Sequence, residues 1–187
     1  QQASTCTIAP FFLRETSMSV LIRLERVSDH DDICNVSRAA FGGGAEAGLV
    51  DDLRGGGFVC VSLVAEFDDK VVGYVLFSRV AINTDSGKID AIALAPMAVL
   101  PEYQRQRIGS KLLSVGLVAC RAQEHKIVVV LGHPEFYSRF GFSSDLASGL
   151  ESPFGGGDAW MALELVPGAL KNVTGVMEYP APFGVFT

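Results

Sequence analysis

The sequence predicts a single α/β domain in which helices flank a mixed β-sheet. Three observations carry this prediction. Strand-like and helix-like segments alternate along most of the chain, as in domains built around one sheet. Ile127–Leu131 is short and entirely apolar, which is typical of a buried parallel strand. The chain has 187 residues, of which 49% are hydrophobic and 19% charged, and it shows no repeat or interdomain linker, so we expect one folded core.

The N-terminal residues Gln1–Ser17 are predicted to lie outside this domain, which we assign to residues 18–187. Ile8–Leu13 is apolar but short, and no basic segment precedes it, so it makes a poor secretory signal. Met18 is followed by a predicted strand. We interpret Gln1–Ser17 as an upstream extension that is not part of the fold, with a partner-binding arm as the alternative.

The first predicted elements are a strand and two helices. Leu21–Arg26 alternates apolar and charged residues and indicates a half-buried strand. Ser28, followed by three aspartates, is typical of a helix start, and this helix is expected to end near Phe41 at the glycine triplet beginning with Gly42. A second, short helix is predicted over Glu46–Arg54.

The centre of the chain predicts a run of strands and then the principal helix. Val59–Phe67 and Val71–Ile82 are β-rich and are joined by Asp68-Asp69-Lys70, a hairpin signal. Ile89–Val99 is the next predicted strand, and Arg107–Gln123 is the principal helix.

The remaining elements follow the buried strand Ile127–Leu131. Glu135–Phe140 is predicted to be a short helix, and Trp160–Leu165 and Thr174–Tyr179 to be closing strands. Edge strands after Trp160 could pair between two chains, so a homodimer is one expectation.

Charge and cysteine content narrow the function classes. The net charge of -6 and the isoelectric point near 5.0 argue against general nucleic-acid binding. The longest apolar run, Ala91–Leu100, is too short for a membrane span. The four cysteines include no Cys-x-x-Cys pair, so we expect no metal site; Cys34 and Cys120 are predicted core residues, and a reduced, cytoplasmic setting is the simpler account.

The glycine triplets that begin at Gly42, Gly55 and Gly155 do not indicate a nucleotide-binding loop. None precedes Lys-Ser or Lys-Thr, and none has Gly-x-Gly-x-x-Gly spacing. We interpret them as turns, with flexible loops beside a substrate cleft as the alternative.

The most informative segment is the turn between the predicted strand ending at Val99 and the principal helix. It contains Arg105, Gln106, Arg107 and Gly109 where the helix must begin. A helix start has unpaired N–H groups and a partial positive charge. Together with the arginines and a small residue, it is suited to bind a phosphate or pyrophosphate.

Two segments of this chain resemble the GCN5-related N-acetyltransferase (GNAT) superfamily. Leu94–Ser110 resembles its acyl-CoA-binding segment, with the family pattern Gln/Arg-x-x-Gly-x-Gly/Ala read here as Gln104-Arg105-Gln106-Arg107-Ile108-Gly109-Ser110. Pro134–Phe142 resembles the second signature, a tyrosine on a short helix that ends in Gly-Phe. The similarity extends from about Val20 to Tyr179 and is greatest to a bacterial subgroup whose substrates are mostly unassigned.

The resemblance implies a mixed sheet splayed apart at the acyl-CoA site and a set of functional residues. Tyr137 corresponds to the usual general acid for the departing thiolate, with packing against neighbouring phenylalanines as the alternative. The implied contacts to acetyl-CoA come from the main chain at the strand end and from the helix-start turn: Met97, Ala98, Val99, Arg105, Gln106, Arg107, Ile108, Gly109 and Ser110.

The general base is not evident from the sequence. Ile89–Val99 contains no glutamate, and Asp90 lies near its start. Histidine is a common general base, and His133 follows a buried strand, so it is a candidate. The simpler interpretation is a loop histidine bonded to backbone groups, and deprotonation through water is a third.

Arg107 stands where the family pattern has its first glycine. Its guanidinium could add a contact to phosphate, or its β-carbon could cost affinity if the position needs a positive φ.

The function that the resemblance implies is transfer of an acetyl group from acetyl-CoA to the amine of a small molecule or peptide. The alternative is a non-catalytic acyl-CoA-binding or regulatory domain of the same fold. An interaction protein without a CoA site would leave the turn unexplained.

Overall fold

The fold is built on an eight-stranded mixed sheet, in a computed structural model that describes residues 19–186. The predicted extension Gln1–Ser17 lies outside the described residues. The strands are β1 (Leu21–Leu24), β2 (Val59–Phe67), β3 (Lys70–Thr84), β4 (Gly87–Val99), β5 (Ile127–Leu131), β6 (Leu150–Glu151), β7 (Trp160–Glu164) and β8 (Gly175–Glu178). The helices are α1 (His30–Phe41), α2 (Ala45–Gly55), α3 (Ile108–Ala122), α4 (Pro134–Tyr137) and α5 (Ser144–Ala147).

The principal strands follow the order β1-β2-β3-β4-β5-β7, and β8 pairs with both β3 and β6. All pairs are antiparallel except β4 with β5 and β6 with β8. The predicted hairpin between β2 and β3 is present, with Asp68 and Asp69 both at positive φ, as the tightest hairpin turns require. The predicted α/β fold with a mixed sheet is confirmed.

Several predicted boundaries differ from the structure. A turn of 3-10 helix at Val27–Asp29 precedes α1, and Ser28 does not cap the helix as predicted. Asp29 organises this turn instead: its carboxylate accepts from the Arg26 backbone N–H and pairs with Arg23. The short helix predicted over Glu135–Phe140 is α4 followed by 3-10 helix at Ser138–Phe140. The sequence analysis missed β6, α5 and the final 3-10 helix, Ala181–Phe186.

Helix α3 packs closely on one face of the sheet. The Phe77 ring of β3 lies against Gly116, and a β-carbon at residue 116 would come within 2.5 Å of that ring. Only glycine therefore permits this approach without repacking. Leu112 and Cys120 are fully buried on the same helix, and burial raises the pKa of the Cys120 thiol to about 12. Cys34 is half-buried.

Helix α2 is attached to the opposite face. Side chains alternate along a strand, so Ser62 points away from Val61, which pairs with Phe77 on the α3 face. The Ser62 hydroxyl donates to the Glu25 carboxylate at 2.5 Å, and Arg54 of α2 donates to the same carboxylate at 2.7 Å. Helices α2 and α3 therefore lie on opposite sides of the sheet.

The sheet opens between the neighbouring parallel strands β4 and β5. Strands β4 and β5 pair only at Ile92–Val128 and Ala93–Val129, although β4 continues to Val99 and β5 to Leu131. Where β3 has one residue between paired positions 75 and 77, β4 has two, at Ala95 and Pro96. Such a bulge bends its strand. The result is a gap between the C-terminal ends of the two strands.

Candidate active site

A cleft of about 870 Å³ occupies the gap between β4 and β5. The ends of both strands line it, together with the start of α3, the α4 segment, the end of α1, the start of α2 and the C-terminal aromatic residues. It brings together all the predicted site residues except Gln106, whose side-chain amide donates to the Glu102 carbonyl.

The end of β4 presents backbone groups to this cleft. The Leu100 N–H donates to the Val72 carbonyl, so residues 98 and 100 turn their backbone groups toward β3. Met97 and Val99 therefore turn theirs toward the gap, where no strand partner stands. The Val99 carbonyl accepts from the Gln104 side chain at 3.0 Å, whereas the other gap-facing groups of these two residues have no partner among residues 19–186. Of the three predicted main-chain contacts, Met97 and Val99 have the appropriate orientation.

The start of α3 presents a group of backbone hydrogen-bond donors to the cleft. The backbone N–H groups of Arg107, Ile108, Gly109 and Ser110 have no acceptor among the described residues, and no side chain caps the helix. The helix dipole adds a partial positive charge. Arg105 and Arg107 are exposed and line the cleft beside these groups. This end of the cleft, here called the anion site, has the donors and the positive charge that favour an anion.

Arg107 has the left-handed conformation that glycine adopts most easily, with φ 63° and ψ 12°. This position of the turn thus requires a positive φ. For a residue with a β-carbon the conformation costs about 1 kcal/mol. The chain therefore accepts an energetic cost at the residue where the family pattern has glycine.

Arg139 is a candidate site residue that was not predicted from the sequence. Its Nη2 lies 3.3 Å from the Ser110 hydroxyl oxygen at the start of α3, and its guanidinium stacks on Phe136 with 5.0 Å to the ring centroid. It also lines the cleft. Arg139 thereby adds a third cation to the anion site and joins the α4 segment to α3. Its position two residues after Tyr137 was the only available signal.

Tyr137 lies in the cleft with its ring held on several sides. The ring packs edge-on against Phe136 and Phe142, with centroid distances of 5.0 and 5.6 Å. The residue is 8% exposed, and burial raises its pKa to about 12. Its hydroxyl has no hydrogen-bond partner among residues 19–186. The phenol therefore keeps its proton at neutral pH and is free to donate it to a ligand.

Gly132 sets the position of the Tyr137 ring. A β-carbon at residue 132 would lie 2.5 Å from Tyr137 Cε2, so Gly132→Ala must displace the ring. Misplacement of a reacting group by about 1 Å can cost up to about 100-fold in rate. We expect this variant to lower the kcat of acetyl transfer at least tenfold while the Kd for CoA, measured by calorimetry, changes less than threefold. Gly48→Ala, whose β-carbon would meet nothing within 4 Å, is the control. Equal kcat values in both variants would contradict this role.

His133 and Glu46 are the remaining polar candidates near the reaction centre. The His133 ring is exposed, lines the cleft and makes no hydrogen bond with the described residues, while its backbone carbonyl accepts from Phe136 and Tyr137. Glu46, in the first turn of α2, is the single carboxylate among the described residues that line the cleft. Nothing in its local sequence marks it, because the fold alone brings α2 to the gap. Asp90 does not line the cleft.

The described part of the chain shows neither a metal-binding cluster nor a membrane-spanning helix. Residues 19–186 contain no group of three or more His, Cys, Asp and Glu side chains that could hold a metal ion. Within the same range, no helix has the length and apolar character needed to cross a membrane.

Comparison with known proteins agrees with this architecture. The family model for the acetyltransferase (GNAT) domain matches residues 59–144. The chain is 37% identical over 169 residues to YhbS of Escherichia coli K12, an uncharacterised N-acetyltransferase, covering 89% of this chain and 100% of YhbS.

Solved structures extend the comparison to three dimensions. The crystal structure of Escherichia coli YhbS in complex with CoA superposes with a TM-score of 0.84 at 36% identity, covering 91% of this chain and 95% of that one. A GNAT family acetyltransferase from Brucella melitensis in complex with acetyl-CoA gives a TM-score of 0.74 at 32% identity, covering 89% and 99% of the two chains. Fold, signatures and relatives agree, and the chain belongs to the GNAT family of N-acetyltransferases.

Proposed function

We propose that this protein transfers an acetyl group from acetyl-CoA to a primary amine within the cleft between β4 and β5. The observation that carries the proposal is the cleft itself, which combines an anion site at the start of α3, free backbone groups on β4 and an unpaired tyrosine hydroxyl. Relatives at 36% and 32% identity hold CoA and acetyl-CoA in their crystal structures. Family membership makes the activity an acyl transfer.

In the proposed binding mode, acetyl-CoA contacts the start of α3 and the end of β4. The pyrophosphate of acetyl-CoA accepts from the N–H groups of residues 107–110, with Arg105, Arg107 and Arg139 adding charge. Pantetheine runs along β4 and bonds to the free backbone groups of Met97 and Val99, in place of the strand that is absent there. Gly109 leaves room for the phosphate, because its nearest neighbours lie 3.7 Å or more from where a β-carbon would stand.

The proposed reaction is direct attack on the thioester. The amine nitrogen forms a bond to the carbonyl carbon, the C–S bond breaks, and its electron pair goes to sulfur. Tyr137 donates its hydroxyl hydrogen to that sulfur in the transition state. A tyrosine pKa of about 12 exceeds the thiol value of about 8.5, so Tyr137 stabilises the thiolate chiefly by hydrogen bonding. Before the attack, the ammonium form of the acceptor loses one proton to His133 or to water, and the second proton, released as the amide forms, passes to the thiolate.

Two experiments test the proposal in sequence. Calorimetric titration with acetyl-CoA at moderate salt should show saturable binding at one site. Amines added to the complex should then release free CoA thiol, measured with a thiol-reactive dye. Binding without release from any amine would favour the non-catalytic acyl-CoA-binding alternative. No binding at millimolar ligand would contradict the assignment of the cleft.

We expect the guanidinium of Arg107 to contribute to CoA binding. Arg107→Ala keeps the strained backbone and removes the charge, whereas Arg107→Gly removes both. A charge-assisted contact is worth about 1.5 kcal/mol, so both variants should raise the Kd for CoA roughly tenfold in calorimetry. If Arg107→Gly instead bound CoA more tightly than the unchanged protein, the Arg107 side chain would only obstruct CoA binding.

Two further assignments stay predictions. A homodimer through β7 would need that strand's outer edge, and the backbone of Ser143 already pairs there with Ala162. Size-exclusion chromatography with light scattering measures the oligomeric state directly. The cytoplasmic setting rests on the cysteine pattern of the sequence.

A further inference from the structure

The end of the cleft opposite the anion site has an aromatic wall. Phe154, Tyr179 and Phe183, here called the aromatic wall, contact one another with centroid distances of 4.8, 4.9 and 6.2 Å, and all three line the cleft. Phe183 belongs to the final 3-10 helix, which packs against α2. Phe41 and Leu49 add apolar surface. A ligand group that occupies this end therefore meets rings and aliphatic carbon.

Glu46 interrupts this apolar surface with one negative charge. It is half-buried, and its carboxylate makes no hydrogen bond or ion pair with residues 19–186. By contrast, Glu25 and Asp29, which are also partly or fully buried, are each paired with an arginine. A carboxylate in partly apolar surroundings gains most from a cation or a donor that a ligand supplies.

The cleft is therefore divided by charge. Arg105, Arg107 and Arg139 lie at the start of α3, and Glu46 lies at the start of α2 on the opposite side of the sheet. An acyl-CoA held by its phosphates at the first end would leave the second end for the acceptor. The sign of the charge there favours an ammonium group.

We infer that the acceptor is a primary amine on an aromatic or aliphatic body without a carboxylate, held by its ammonium group at Glu46 and by its apolar body at the aromatic wall. The inference rests on the proposed function and names its substrate class. Aromatic faces also attract cations. Free amino acids are disfavoured because their carboxylate would lie close to Glu46, and polyhydroxylated amines because the aromatic wall offers them few hydrogen-bonding partners.

The test compares four probes on the complex with acetyl-CoA. Phenethylamine has both the ammonium group and an aromatic body. Ethanolamine lacks the ring, phenylalanine adds a carboxylate, and Gly-Gly-Gly presents a peptide amine. Thiol release should give a kcat/KM for phenethylamine at least about tenfold above each of the others. Similar values for all four probes, or a preference for phenylalanine or Gly-Gly-Gly, would overturn the inference.

A matched pair of variants tests the carboxylate. Glu46→Gln should raise the KM for phenethylamine roughly 10- to 100-fold, the range of a lost charge-assisted contact, with a small change in kcat. Asp52→Asn makes the same change in charge on the same helix, but Asp52 is exposed and does not line the cleft, so its KM should stay unchanged. Equal KM values in the two variants would overturn the role of Glu46.

A binding measurement separates failure of this inference from failure of the proposed function. Phenyltrimethylammonium cannot be acetylated, and 2-phenylethanol is uncharged; both can be titrated into the protein by NMR without acetyl-CoA. We expect Glu46→Gln to weaken phenyltrimethylammonium binding roughly tenfold and to leave 2-phenylethanol unaffected. If Glu46→Gln gives this result but the protein does not bind acetyl-CoA, the amine-binding site would be supported and the proposed acetyl transfer would not. Equal weakening of both ligands, or of neither, would overturn it.

Discussion

Tyr137→Phe is expected to lower the kcat of acetyl transfer about 100- to 1000-fold without destabilising the protein. The ring contacts of Tyr137 to Phe136 and Phe142 would remain, and the hydroxyl has no partner to lose among the described residues. Removing a buried hydroxyl that lacks a partner leaves the free energy of unfolding unchanged or raises it by about 1 kcal/mol. Activity and stability should therefore change independently, or in opposite directions.

The control for this prediction is Tyr74→Phe. Tyr74 is fully buried in β3 and does not line the cleft, so the same atom is removed away from the reaction. Single-turnover thiol release and chemical denaturation measure the two effects. If Tyr137→Phe kept full kcat, the packing interpretation of Tyr137 would be correct. Because burial raises the pKa of Tyr137 to about 12, we expect no loss of activity from ionisation of this tyrosine as the pH rises from 8 to 10.

Gly109→Glu is expected to raise the Kd for CoA at least about 100-fold. The substitution places a carboxylate at the start of α3, where the free N–H groups and the arginines attract phosphate. Two like charges about 4 Å apart repel by roughly 4 kcal/mol near a protein surface, which exceeds the about 2.8 kcal/mol that a 100-fold change in Kd requires. The fold should persist, because a β-carbon at residue 109 would make only ordinary contacts with Phe136 and Val99.

Two variants show whether this loss is specific. Gly109→Ala should change the Kd for CoA less than about tenfold, since it adds no charge. Ser114→Glu adds the same charge to the exposed surface of α3, outside the cleft, and should leave CoA binding unaffected. Calorimetry gives the three Kd values under one salt condition. Comparable binding by Gly109→Glu and Ser114→Glu would show that CoA does not occupy the start of α3.

The placement of the candidate anion site at a helix start was predictable because its residues are close in sequence. Arg105, Arg107 and Gly109 are close in sequence, and the break at Pro101 with the following helical pattern placed them at a helix start. The conformation of Arg107 could not be predicted from its residue type, since an arginine seldom has a positive φ. It followed only from the correspondence to a glycine in the family pattern.

The end of the cleft at Glu46 was not predictable, because distant segments form it. Glu46 and Phe154 are separated by more than half of the chain and line one cleft only because the fold brings both segments to the same gap. In the sequence, Glu46 resembles any acidic residue in the first turn of a helix. The pairing of β8 with β3 was equally hidden, since its partners lie about 95 residues apart.

The interrupted pairing of β4 and β5 leaves backbone groups of Met97 and Val99 without a strand partner. If pantetheine binds there as proposed, an acyl-CoA would take the place of the missing strand. By linkage, a ligand at 100 times its Kd stabilises the folded state by about 2.7 kcal/mol. The acyl-CoA concentration in a cell would then affect the stability of this protein as well as its catalytic rate.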